Sequence, residues 1–73
     1  MNYAQRIKEL REDEDRTQKE IADILNTTQS YYAQYENQHR KLPIEHLKTL
    51  CLYYGVSADY ILGLPEGLKY IKR

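Results

Sequence analysis

The stretch from Thr17 to Asn37 limits the fold more than any other part of the chain, because it carries start and stop signals for two short helices in succession. Thr17 is followed three residues later by Glu20, a capping box. The hydroxyl accepts an orphan first-turn amide and the carboxylate reaches back to the cap residue. Ile21, Ile24 and Leu25 then fall on one face at helical spacing. Ala22 is small enough to let a neighbouring helix approach closely. Asn26 follows the last apolar residue, and Asn tolerates the left-handed conformation that ends a helix. Thr28 caps a second helix, in which Tyr32 and Tyr35 give an inward face. Gln29, Ser30 and Gln34 are left on the opposite, outward side.

The flanking sequence supplies three more helices. Tyr3, Ile7 and Leu10 mark the inward face of a first helix from Asn2 to Asp13, with Asn2 as cap and Gln5 at the capping-box position. Leu42-Pro43 opens a fourth, with Pro43 in the first turn where its missing amide is harmless. Its predicted buried face is Ile44, Leu47, Leu50, Cys51 and Tyr54, and Gly55 ends it. Val56 is a core candidate in the short turn. Ser57 caps a short fifth helix carrying Tyr60, Ile61 and Leu62, stopped by Gly63. No segment alternates long enough to compete as a strand. The fold class is therefore all-α: a compact five-helix domain over 1–63, with a tail over 64–73. Of the eight tyrosines, Tyr3, Tyr32, Tyr35 and Tyr60 are predicted to face inward and Tyr53 to be partly exposed.

Size and composition exclude several classes. A chain of 73 residues forms one domain and buries only about 60% of its unfolded surface. Hydrophobic residues at 41% and charged ones at 30% fit a soluble globular chain. No apolar run approaches the ~20 residues that span a bilayer. No signal-peptide pattern opens the sequence, so a cytoplasmic location is expected. The single Cys51 cannot form an internal disulfide, and its apolar neighbours favour a small buried hydrophobe. His39 and His46 lack metal-ligand spacing and are expected at the surface. No glycine-rich phosphate loop or nucleophile-base pattern points to an enzyme, and no cofactor is expected.

Two helices joined by a tight turn hold the second at a fixed angle, so that its first turn can enter a DNA major groove. Glutamine suits this use because its amide donates and accepts at once, matching N6 and N7 of adenine. Tyr31, in the same first turn, could meet the DNA backbone or a thymine methyl; an exposed aromatic with no role fits equally well. Net charge argues the other way. Eleven Lys and Arg balance eleven Asp and Glu, whereas DNA-binding domains are usually basic. Distribution can offset this. Glu12 to Asp15 concentrate negative charge at the end of the first helix, while Arg40, Lys41, Lys69, Lys72 and Arg73 are basic. Ordinary solvated charges are the plainer alternative.

Several pieces, in order and spacing, resemble the phage-repressor (Cro/XRE-type) helix-turn-helix family. They are Arg6 to Arg11, Thr17 to Ala22, Tyr35 to Asn37, Leu42 to Ile44 and Tyr54 to Gly63. The resemblance implies a five-helix fold that binds operator double-stranded DNA, commonly as a two-fold homodimer, and a repressor from a phage or mobile element. It places Gln29, Ser30 and Gln34 at base-reading positions. It puts Gln18 where a glutamine contacts a phosphate and braces Gln29. Thr28, Tyr31, Asn37, Arg40 and Lys41 take supporting or backbone-contact positions, and Arg11 and Glu36 a structural salt bridge. The chain departs from the family at Asp15 and Gln38, where Gly is frequent, at Arg16, where a buried aliphatic is, and at Ser30, which is shorter than usual. The alternative reading is an antitoxin-like module that binds a protein partner such as a toxin, with DNA binding secondary or lost. For assembly, Ile61, Leu62, Leu64, Leu68, Tyr70 and Ile71 form a candidate dimer patch, unless they fold back to complete the core.

Overall fold

The computed structural model describes residues 2–65, so the expectations placed on Leu68, Lys69, Tyr70, Ile71, Lys72 and Arg73 lie outside the described residues. The described chain is all-α. Its helices are α1 (Tyr3–Asp13), α2 (Gln18–Ile24), α3 (Gln29–Glu36), α4 (Ile44–Tyr54) and α5 (Ala58–Leu62).

The caps follow the sequence closely. Asn2 accepts from the Gln5 amide, Thr28 from Tyr31 and Ser57 from Tyr60. At Thr17 the full box forms: its hydroxyl accepts from the Glu20 amide at 3.1 Å and its amide donates to the Glu20 carboxylate at 2.9 Å. Pro43 stands one position earlier than expected. It is the cap residue of α4 rather than part of its first turn, and it gives no side-chain cap bond.

All five helices end alike. Each is followed by a left-handed residue: Asp15, Asn26, Gln38, Gly55 and Gly63. The next amide then returns to a carbonyl five residues back, as in Arg16 to Arg11, Thr27 to Ala22 and His39 to Gln34. This is the Schellman closure. It satisfies orphan carbonyls and turns the chain sharply at every corner, so a chain this short can fold around one centre.

That centre is Ile7, Ile21, Ala22, Leu25, Tyr32, Tyr35, Leu50 and Ile61. Tyr3, Leu10, Ile24, Leu47, Cys51, Tyr54 and Val56 pack against it half-buried. Burial raises the Cys51 thiol above its ordinary value. Four expectations need correction. Ile44 has the right periodicity but is 80% exposed, because at the start of α4 the side that meets the core is taken by His46 and Leu47. Tyr60 is exposed, with the Arg6 guanidinium over its ring at 4.3 Å, and Ile61 takes the core position of α5. Ile61 is thus fully buried and cannot belong to a dimer patch, while Leu62 and Leu64 are exposed. His46 is half-buried against the Tyr35 ring rather than at the surface. Among the described residues, no helix is long and apolar enough to cross a membrane.

Candidate nucleic-acid interface

Helix α3 cannot hold itself in place. It has eight residues, too few for a stable isolated helix. Its position comes from one buried face, Tyr32 and Tyr35, and from one charged residue, Glu36, which is 7% exposed. Arg11 grips that carboxylate with two parallel bonds, Nε to Oε2 at 2.8 Å and a terminal guanidinium nitrogen to Oε1 at 3.1 Å. Its remaining nitrogen donates to the Arg16 carbonyl at 2.9 Å. The Gln18 amide donates to the same Glu36 Oε1 at 3.1 Å. One carboxylate thereby ties α3 to α1, to α2 and, through Arg11, to the turn between them. Burial by itself would raise the Glu36 carboxyl, but hydrogen bonds led by those from Arg11 outweigh it and hold the group below its ordinary range. The bond to Glu36 raises Arg11 in turn. Burial, then the nearby Glu36, pushes the Tyr32 phenol far above its usual value.

The opposite face of α3 is open. Gln29, Ser30 and Tyr31 in the first turn are exposed, Thr28 before them is exposed as the cap, and Gln34 follows one turn later, half-buried. Asn37, Arg40 and Lys41 are exposed just beyond the helix. The residues named from the sequence therefore lie together on one helix and the loop after it. Gln18 is the exception in detail. Its side chain supports α3 through Glu36, and no bond from it to Gln29 is formed among the described residues.

Arg40 does more than the sequence suggested. Gln38 takes φ 64°, and the amides of His39 and Arg40 both donate to the Gln34 carbonyl, at 2.9 and 3.3 Å. The loop therefore doubles back over α3. Arg40 lies with its guanidinium over the Tyr31 ring at 4.7 Å and its Nε donating to Gln34 Oε1 at 3.2 Å. The loop is pinned from below as well, because the Leu42 amide donates to the Tyr3 hydroxyl at 3.1 Å. A non-glycine at a Schellman corner was the available signal for this shape. The partners of the side chain were not visible in it.

The comparisons with known proteins agree with this geometry. The helix-turn-helix family model matches residues 7–61. The chain is 38% identical over 64 residues to an uncharacterised HTH-type transcriptional regulator, YobD, of Bacillus subtilis (strain 168), covering 88% of this chain and 57% of that protein. It is 38% identical over 69 residues to the HTH-type transcriptional regulator ImmR of the same organism, covering 94% of this chain and 54% of that one. A solved transcriptional regulator from Listeria innocua superposes with a TM-score of 0.84 at 25% identity, over 93% of this chain and 64% of that one. A five-helix domain with an amide-lined, buttressed third helix, matched in this way over most of its length, belongs to the helix-turn-helix family. The chain spans little more than half the length of the two curated relatives it matches.

Proposed function

We propose that this chain is the sequence-specific DNA-binding part of a transcriptional regulator, a repressor that reads the major groove with α3. The observation that carries the reading is the division of α3 into two faces. Tyr32, Tyr35 and Glu36 are buried and braced, while Gln29, Ser30 and Gln34 stand outward with hydrogen-bonding groups suited to base edges. Thr28, Tyr31, Asn37 and Lys41 flank that surface, where the sugar-phosphate backbone would run. The role is binding rather than catalysis, and a DNA target puts the protein in the cytoplasm. Residues 1–63 form the DNA-binding unit and the tail from Leu64 contributes to a homodimer.

The test is a binding-site selection on random duplexes, followed by titration of Gln29→Ala. The variant should lose about 1–3 kcal/mol on the selected operator and little on unrelated DNA. Equal losses on both duplexes would show that α3 does not read sequence. A second reading, a protein-interaction module of the antitoxin kind that binds a toxin, draws support from the zero net charge. Selection that enriches no sequence, with a partner protein bound tightly, would favour it.

A further inference from the structure

We infer that Arg40 is a specificity-setting positioning residue. It fixes the orientation of the Gln34 amide so that α3 presents hydrogen-bond donors at that position and selects guanine over adenine. The inference rests on the reading above that α3 enters the major groove.

A free glutamine suits adenine, because its oxygen accepts from N6 while its nitrogen donates to N7. Gln34 is not free in this way. Arginine has only donors, so whatever group of Gln34 faces the Arg40 Nε must be the amide oxygen. That oxygen is held at 3.2 Å, and among the described residues the Nε2 amide donates to no other group. A terminus that offers only N–H groups matches an edge that offers only acceptors, and guanine presents N7 and O6 together. Bidentate reading of adenine would first require the Arg40 bond to break.

The clamp is built into the loop rather than resting on one flexible contact. The left-handed Gln38, the two amides returning to the Gln34 carbonyl and the anchor of Leu42 on Tyr3 bring Arg40 back across the helix. Tyr31, one turn before Gln34 on the same side, then seats the guanidinium plane. Residues on a helix three apart are neighbours, so the ring and the amide together fix both the face and the edge of Arg40.

The experiment has two arms on the intact chain. In the first, the operator position read by Gln34 is located as the one whose preference Gln34→Ala abolishes. Base preference there is then compared between the unaltered chain and Arg40→Ala. The unaltered chain should prefer guanine, and Arg40→Ala should shift the guanine-to-adenine ratio toward adenine by roughly tenfold at that position alone. A phosphate contact by Arg40 would instead lower affinity on all sequences and leave the ratio unchanged, which overturns the inference. Adenine preferred by the unaltered chain overturns it too. In the second arm, NMR of the DNA-free protein should show the Arg40 Nε–H and Gln34 side-chain amide signals displaced from free values, with the Gln34 signals returning toward them in Arg40→Ala. Signals already at free values would overturn the clamp while leaving the DNA-binding reading intact. Failure to select any sequence would defeat that reading, and this inference with it.

Discussion

Glu36 is the residue on which the geometry of α3 depends, and its energetics follow from burial. The side chains of Arg11 and Glu36 are 12% and 1% exposed, so the pair does not resemble the surface ion pairs worth about 0–1 kcal/mol. Removing one partner leaves the other charge in a poorly hydrated site. Arg11→Ala should therefore cost ~3 kcal/mol in chemical denaturation. A loss below about 1 kcal/mol would return the pair to the surface class. Its pH dependence follows from the direction of the Glu36 shift. The folded carboxyl titrates below the ordinary value of 4.5, so below 4.5 the unfolded chain binds more protons than the folded one. The stability contributed by the pair is complete above that pH. It falls as acid is added, until the lowered folded value is passed. Glu36→Gln should flatten the acid limb of the stability curve, as followed by circular dichroism. The part due to Glu20 should remain, since its carboxyl is lowered chiefly by the backbone amide of Thr17. The charge pair was legible from the sequence only through the family resemblance, because nothing in local spacing links positions 11 and 36. The third member, Gln18, was placed on the right helix, but its bond to Glu36 was not foreseen.

The helices themselves were legible because their signals are local. Capping residues, apolar spacing and terminators act within a turn or two, and Asn26, Gly55 and Gly63 all stop their helices as expected. What failed depended on the third dimension. Ile44 and Tyr60 satisfy the helical period, yet where the core ends decides which periodic positions it covers. Gln38 shows the cost of an unusual terminator. A residue with a Cβ in the left-handed region is disfavoured, and glycine occupies the region without that penalty. Gln38→Gly should raise stability by about 0.5–1 kcal/mol in urea denaturation, the relief of the left-handed penalty less the extra backbone entropy of glycine. A decrease would mean that the corner is held by side-chain contacts of Gln38 rather than by its backbone.

For the molecule as a whole, a single helix-turn-helix covers one half-site. Two copies related by a two-fold axis would address sites about 34 Å apart. With Ile61 committed to the core, exposed Leu62 and Leu64 are the described part of the proposed dimer surface. Sedimentation of the intact chain should show a dimer, and Leu62→Glu with Leu64→Glu should give a folded monomer. A monomer in the unaltered chain, both free and on operator DNA, would refute the arrangement. The buttressing of α3 through Glu36 has a further consequence for how such a molecule loses activity. An eight-residue helix tied to α1 and α2 by one carboxylate cannot melt by itself, so its amides open together with those of its neighbours as one cooperative unit. The proposed reading surface is then present in full or not at all. Heat, acid or a distant destabilising substitution would deplete the population of competent molecules while each survivor kept its intrinsic affinity, and the apparent Kd would rise in inverse proportion to the folded fraction.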